Sequence, residues 1–463
     1  MPHIALAGIV LAAGKGTRMK SDLPKVLHPV AGLPMAEHVG RAMRAAGANP
    51  VVMVVGHRQE TVQETLGDAY LYARQEPPRG TGDAARAGMT ALHDFEGIVL
   101  VCSGDTPLIT EAELGALARE LTVENADAVV ATVDFDDPTG YGRVITSSDG
   151  RFQAIVEERD ATPEQRRIRE VGVSVYAFSA AALRDALPLL SSENAAGEFY
   201  LTDVPGILAA MGRCVRTTKF ARSERFMGCN DRWELSLAET AMRRRTVERH
   251  ARNGVTLVDP DTTYIGSDVR IGENVRLLPM THLEGSTRIG DGAEIGPNTR
   301  LINADVHENA RVSFSVVSDS VVGRNATVGP FAHLRNGVTL GVGASVGNFV
   351  EMKNAQIGAG VSAKHLSYIG DAEIGDGTNI GAGSITCNWD GFRKHRTQIG
   401  RNVFIGTHTT LVAPIAVGDG AMTAAGSVVT QSVPAGAAAF GRARQETKEG
   451  WAEQWRTKKS EST

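Results

Sequence analysis

The chain has 463 residues, 42% hydrophobic and 22% charged, with a formal net charge of −5 at pH 7. That length exceeds what one hydrophobic core serves, so two domains of a soluble globular protein are expected. The near-balanced charge, without a long basic run, excludes bulk nucleic-acid binding. No apolar run is long enough for membrane insertion. The four cysteines, Cys102, Cys214, Cys229 and Cys387, lack CxxC spacing. This argues against zinc or a disulfide framework and fits a reducing, cytoplasmic location. The opening MPHIALAGIVLAAGKG lacks a basic n-region and a cleavage site, so no signal peptide is expected.

Taken in chain order, IALAGIVLA, ANPVVMVVG, GIVLVCSGD and DAVVATVDF read as buried parallel strands. AEHVGRAMRAAG and TEAELGALARELTVEN between them have helical periodicity. The alternation predicts a doubly wound α/β, Rossmann-like sheet with ligands at the carboxyl ends of its strands. DRWELSLAETAMRRRTVERHARNG reads as one long helix stopped at Asn253 and Gly254. Its basic stretch 243–245 is a solvated face. The expected division is 1–230, a helical linker over 231–253, and 254–463.

Beyond the linker an aliphatic residue recurs every sixth position. Ile265, Ile271, Leu277, Leu283, Ile289, Ile295 and Leu301 form one run. Val316, Val322, Val328, Leu334, Leu340, Val346 and Met352 form a second. Ile399, Ile405, Leu411, Val417, Thr423 and Val429 continue the rhythm with one Thr. Neither a helix nor an ordinary strand has this period. It marks a parallel β-helix, in which each repeat is a short strand and a turn, over about 255–440. CNWDGFRKHRTQ, around 387–398, breaks the rhythm and reads as an extruded loop, where function concentrates. The tail RQETKEGWAEQWRTKKSEST is polar, with two tryptophans, and could dock as a cap or remain partly disordered.

Two motif clusters carry chemistry. LAAGKGTRMKSDLPK, 11–25, follows the first strand. Its glycines let backbone N–H groups approach anionic oxygens, and Arg18 and Lys25 add positive charge. It is neither a Walker A loop nor a dinucleotide fingerprint. GxGTRM followed by PK resembles the sugar-phosphate nucleotidyltransferases. Asp105 in CSGDTPL is placed to hold Mg²⁺ on a triphosphate. Gln75 with GTGDA, 80–84, offers groups that read a base edge. In the C-terminal half, the stretch 346–391, with VEMKN, AKHLSYIGD and GAGSITCNWDG, gathers His365, Lys353, Tyr368, Asn379, Asn388, Trp389 and Asp390.

The order LAAGKGTRM, PK, Gln75, Gly80-Thr81, GDTPL, GYGR, IVEERDAT and CND, followed by a hexapeptide prism, resembles one family along nearly the whole chain. It is that of the bifunctional N-acetylglucosamine-1-phosphate uridyltransferase / glucosamine-1-phosphate N-acetyltransferase, whose prism is a left-handed β-helix. The resemblance implies that Leu11, Ala12, Ala13, Gly14 and Lys25 contact UTP and Arg18 its phosphates. It implies that Gln75, Gly80 and Thr81 meet the uracil side, that Asp105 and Asn230 bind Mg²⁺, and that Gly142 and Glu157 contact the sugar, with Asn230 also at the nucleotide. It further implies Arg335 and Lys353 at the phosphate of glucosamine-1-phosphate, Tyr368 and Asn379 at its sugar, and His365 as general base. Ala382, Asn388, Trp389, Thr407, Ala425 and Arg442 would line the acetyl-CoA site, in a homotrimer with shared acetyl sites.

Four positions depart from the family pattern. Gly172 and Ser174 stand where Asn and Gly are usual, which loses an amide at the sugar. Trp389 replaces a common Tyr, and Thr407 a common Ser. A sugar amine must lose a proton before it attacks a thioester, and an imidazole suits that task. Cys387 in the loop reads as structural or incidental. The main alternative is a single-activity sugar-1-phosphate nucleotidyltransferase whose β-helix serves regulation or assembly. AKHLSY and CNWDG weigh against it. A purely structural prism is opposed by the intact Gly loop and Asp105. A carbonic-anhydrase-type prism is not favoured by the surroundings of His282, His307 and His333.

Overall fold

The computed structural model describes residues 4–461; the first three residues and the last two of the polar tail lie outside the described residues. Two compact units are formed, Met1–Arg245 and Thr246–Thr463.

The first unit is built on a mixed sheet. Its strands lie in the order Val215–Lys219, Ala128–Asp134, Glu170–Ser179, Ile98–Ser103, Leu6–Leu11, Val51–Val55 and Leu71–Arg74. Leu6–Leu11 pairs in parallel with both neighbours, as its unbroken apolar run predicts. Alternate residues then serve opposite faces. Val10 packs with Val39, Met43, Leu114 and Leu117 of the helices Met35–Ala45 and Glu111–Val123. Ile9 and Leu11 pack with Ala84, Ala85 and Met89 of Thr81–Ala91 on the other face. Full burial of such side chains is worth about 1.5–3 kcal/mol each. Glu111–Val123 begins where its sequence says it should. Thr110 and Glu113 form a reciprocal capping box, with Thr110 N–H to Glu113 Oε2 at 3.2 Å.

One correction concerns the sheet. Ala128–Asp134 pairs in parallel with Val215–Lys219 on one side but does not neighbour Ile98–Ser103 on the other. The ten-residue strand Glu170–Ser179 separates them, running antiparallel to both Ala128–Asp134 and Ile98–Ser103. Its register shifts between Gly172 and Tyr176, and Ser174 takes φ = 54°. The bulge re-aims the strand where it meets Gly142 and Arg143.

The long helix runs over Arg232–Arg252, and its first half packs Ala238 and Met242 against Val30, Ala31, Met35 and Leu108. The second unit then coils. Thr263 pairs with Thr281 and Ile405 with Thr423, both 18 residues on (281 − 263; 423 − 405), in parallel register. Three hexads therefore make one turn of a three-sided prism, with the hexad aliphatics inside. Leu277, Ile295, Leu301, Val322, Leu334, Met352 and Ile405 are fully excluded from solvent. The fold is the left-handed parallel β-helix of hexapeptide-repeat proteins. Val316 is the exception. It is 38% exposed, and Val317 fills the interior. The coil there is short by two residues, since Leu301 pairs with Val317, 16 residues on (317 − 301). A strict sixth-residue count therefore slips by one. At the loop the opposite holds. Ile374 pairs with Ile399, 25 residues on (399 − 374), so seven residues are extruded beyond the usual 18. The tail forms an exposed helix over Trp451–Ser460.

Candidate functional site

The first unit carries a cavity of about 440 Å³ at the carboxyl ends of its central strands. Its lining includes Leu11, Ala13, Gly14, Lys25, Gln75, Gly80, Thr81 and Asp105, which are widely separated in sequence. Lys15, Val26, Pro78, Ala84, Ser103 and Glu198 complete it; Lys15, Ala84 and Ser103 lie within the quoted motifs without having been named, and Val26, Pro78 and Glu198 lie outside them. Asp105 follows the strand Ile98–Ser103, and Ser103 Oγ donates to its Oδ1 at 2.6 Å. The Lys25 ammonium lies between two oxygens. It pairs with Asp105 Oδ2 and donates to Asn230 Oδ1 at 2.8 Å. Asn230 is held from behind, its N–H reaching Glu234 Oε2 at 2.5 Å. Gln75 Nε2 donates to the Gly80 carbonyl at 2.9 Å and to Asp83 at 3.1 Å. Gly80 has φ = 111°, and a Cβ there would lie 2.5 Å from the Phe199 carbonyl oxygen. Only glycine fits such a turn. Leu201 N–H donates to Thr81 Oγ1 at 2.9 Å.

Other predicted residues stand apart from this lining. Ala12 is buried in the core, its N–H bonded to the Val54 carbonyl at 2.8 Å. Arg18 is exposed on the 3-10 turn Thr17–Met19. Gly142 and Glu157 form a neighbouring group, in which a Cβ on Gly142 would stand 3.7 Å from the Glu157 carboxylate. Thr202 Oγ1 donates to Glu157 Oε1 at 2.8 Å. Burial raises the Glu157 pKa against the Thr202 hydrogen bond. Asp203, next along, is raised to about 6 by burial and by Glu157 and Asp160. Gly172 sits directly opposite Gly142 across the antiparallel pairing, with Ile155 beside both. Burial first, and Asp105 and Glu234 after it, push the Cys229 thiol up to about 12, so no thiolate is presented there.

In the prism, two unusually long strands, Ser345–Lys353 and Ser362–Gly370, pair in parallel. Their register sets Asn348 beside His365 and Glu351 beside Tyr368, while the strand His333–Arg335, on the other side of Ser345–Lys353, sets Arg335 beside Lys353. Arg335 is ion-paired with Glu351. His365 is exposed at the corner, and its carbonyl accepts Ser367 Oγ at 2.9 Å. Asn379 lies one coil on, beside Ser362. Asn388 is buried and donates to Asp371 Oδ2 at 2.5 Å and to Tyr368 Oη at 3.4 Å. Asn354 donates to Asp371 Oδ1 at 2.6 Å. Burial alone would raise Asp371, but these two amides, with Lys353 and Lys394, hold it below the usual carboxylate range.

Lys394, on the extruded loop, was missed by sequence reasoning. Its ammonium beside Lys353 is the main cause pushing the Lys353 pKa down, with burial and Arg335 adding to it. Three cations, Arg335, Lys353 and Lys394, face two carboxylates, Glu351 and Asp371, and the remaining positive charge suits an anion. Its charge inside an extruded loop was the available signal. Trp389 is exposed and bridges Lys394 across the loop. The remaining predicted residues stack along one corner, one per coil. His408 N–H reaches the Ala382 carbonyl at 2.7 Å, and Gly426 N–H the Thr407 carbonyl at 2.8 Å. Ala425 is exposed beside Gly426, where a Cβ would stand 3.7 Å from Arg442 Cδ. Cys387 ends the strand Ile385–Cys387, and its carbonyl accepts Ala413 N–H at 3.2 Å.

Comparison with known proteins matches both halves. Residues 8–199 fit the MobA-like NTP transferase domain. Residues 263–303 fit the bacterial transferase hexapeptide (six repeats), and 396–431 the hexapeptide repeat of succinyl-transferase. The bifunctional protein GlmU of Caldanaerobacter subterraneus subsp. tengcongensis is 46% identical, over 97% of this chain and 98% of that protein. That of Streptococcus agalactiae is 44% identical over 96% and 97%. That of Carboxydothermus hydrogenoformans is 46% identical over 96% and 99%. With both units matched end to end at this identity, the chain belongs to the family of bifunctional GlmU proteins.

Proposed function

We propose that this enzyme makes UDP-N-acetylglucosamine in two steps at two sites. The prism transfers acetyl from acetyl-CoA to the amine of glucosamine-1-phosphate. The first unit then transfers UMP from UTP to N-acetylglucosamine-1-phosphate and releases pyrophosphate. The product of the first step reaches the second site through solvent. The observation that carries this reading is the full-length kinship, which spans the nucleotide-type cavity and the prism alike.

In uridylyl transfer the nucleophile is a phosphate oxygen that is already anionic, so no general base is needed. Its attack on the α-phosphorus expels pyrophosphate in line, and positioning and charge neutralisation do the rest. Leu11, Ala13 and Gly14 supply the wall of the UTP pocket, with Ala12 fixed beneath them. Gln75, Gly80 and Thr81 meet the base, and Glu157 and Gly142 the sugar. Asp105 and Asn230 already converge on one cation, the Lys25 ammonium. Two oxygen donors, one of them anionic, fit Mg²⁺, which keeps waters and takes phosphate oxygens as further ligands. The ion would neutralise triphosphate charge there, freeing Lys25 and Arg18 for phosphate oxygens.

In acetyl transfer, Arg335, Lys353 and Lys394 hold the sugar phosphate, and Tyr368 and Asn379 orient the ring. His365 takes the ammonium proton as the amine attacks the thioester carbonyl, and coenzyme A leaves as the thiol. Ala382, Asn388, Trp389, Thr407, Ala425 and Arg442 form the acetyl-CoA track. No acyl-enzyme is required, and Cys387 has no part.

A homotrimer is the proposed assembly. Phe314, Phe331 and Phe349 stack along one corner with centroids 5.8 and 5.4 Å apart, and Phe331 and Phe349 are more than half exposed. An apolar ladder of that length beside His365 suits a second copy of the prism. Among the described residues no helix is long and apolar enough to cross a membrane; a cytoplasmic setting is proposed.

The test is pyrophosphate release from UTP with N-acetylglucosamine-1-phosphate, glucosamine-1-phosphate and a galactose-type analogue. Preference for the first by about tenfold or more, the worth of one well-placed hydrogen bond, is expected despite Gly172. Release without preference would remove the acetamido sugar from the reading.

A further inference from the structure

The extruded loop is fixed at its foot and free at its tip. Asn388 is buried and tied to Asp371 and Tyr368, whereas Phe392 is 92% exposed. Between them, one pair closes the loop into a hairpin. Asp390 Oδ1 accepts the N–H groups of Phe392 and Arg393, each at 2.8 Å. Asp390 N–H returns to the Arg393 carbonyl at 3.2 Å. Asp390 Oδ2 is left for His395, whose Nε2 stands 2.6 Å away, and His395 N–H reaches the Asn388 carbonyl at 2.8 Å. The His395 side chain is only 22% exposed. Trp389 and Lys394 are thus paired across the hairpin, and Lys394 is carried to Lys353.

We infer that Asp390 and His395 are positioning residues for acetyl transfer, a staple that holds the hairpin so that Lys394 completes the anion site with Lys353 and Arg335. This rests on the acetyltransferase reading of the prism. Neither residue touches the sugar phosphate. The staple acts through Lys394, whose ammonium sits on a long flexible stem and gains a fixed place only if its backbone is fixed. Asp390 suits the part. The Arg393 N–H, His395 and the Phe392 N–H together hold its carboxyl down to about 2, so it stays charged wherever the enzyme works. The groups facing His395 are Asp390, on the hairpin, and the Asn388 carbonyl at its foot.

The experiment compares unmodified enzyme with His395→Ala, His395→Gln and Asp390→Asn in the full chain. His395→Ala is expected to raise KM for glucosamine-1-phosphate about five- to tenfold, the consequence of losing one hydrogen bond of ordinary net worth. Its kcat should stay within twofold, because His365 and the thioester are untouched. His395→Gln, which can still donate to Asp390, should recover most of the loss. Asp390→Asn keeps the turn acceptor but loses the charge, and should fall between. Trypsin cleavage after Arg393 or Lys394 should speed up in the same order, while uridylyl transfer is unchanged and reports an intact fold. Unchanged KM and unchanged cleavage in His395→Ala overturn the staple, as does a fall in kcat at constant KM. Absence of acetyl transfer in the unmodified enzyme overturns the acetyltransferase reading instead, and is seen before any variant is made.

Discussion

Gly80→Ala tests whether the turn at 80–82 builds the UTP pocket. Two costs add at this position. The backbone sits at φ = 111°, a conformation a side chain adopts only at about 1–3 kcal/mol. The new Cβ would also lie 2.5 Å from the Phe199 carbonyl and 2.9 Å from its nitrogen. Backbone atoms give way less readily than a side-chain tip, so a further cost of about 1–3 kcal/mol follows. The sum, about 2–6 kcal/mol, falls on a turn that lines the cavity, and the low end corresponds to roughly 30-fold in binding. Gly150→Ala is the matched control. It has φ = 80° with nothing within 4 Å of a Cβ, so only strain of about 1–2 kcal/mol applies, in a hairpin turn remote from the cavity. The assay is the KM for UTP in pyrophosphate release, with acetyl transfer measured in the same preparations. Gly80→Ala should raise that KM 30-fold or more and spare acetyl transfer; Gly150→Ala should change neither beyond twofold. Equal effects of the two substitutions would refute the assignment of the turn to the pocket.

Two further outcomes are expected. Asp203 has a folded pKa of about 6 against an ordinary value near 4, so between those values the folded state binds more protons and stability falls as pH rises. Asp203→Asn should therefore raise Tm at pH 7–8 and leave it unchanged or lower near pH 4; a gain of equal size at both pH values would mean the carboxyl is not raised. Phe331→Glu, in the middle of the exposed ladder, should convert a trimer to monomers by light scattering and abolish acetyl transfer while sparing uridylyl transfer. A monomeric variant with full acetyl transfer would show that each prism is complete alone.

Much of the fold was written as periodicity. The hexad aliphatics and the unbroken apolar strands each follow from one geometric rule, so they survive without knowledge of contacts. Val316 slipped because the coil is two residues short there, and period counting has no way to see a shortened corner. Glu170–Ser179 was overlooked as a strand because its pattern is interrupted at Gly172 and Ser174, where the bulge lies. The cavity of the first unit was legible because many of its parts are motif-borne glycines and charges. Ser103, Glu198 and Lys394 were not, since an ordinary Ser, Glu or Lys acquires its meaning only when distant segments meet. Arg143 shows the same limit. It is 2% exposed and paired with the half-buried Glu158 at 2.7 Å, an ion pair that no local signal announces.

The central claim is that two independent sites share one chain. It is tested most directly by assaying both activities in Asp105→Ala and His365→Ala. Asp105→Ala should lose uridylyl transfer by about 10²–10³-fold and keep acetyl transfer. His365→Ala should lose acetyl transfer by about 10²–10⁴-fold and keep uridylyl transfer. Loss of both activities from either folded variant would contradict the claim.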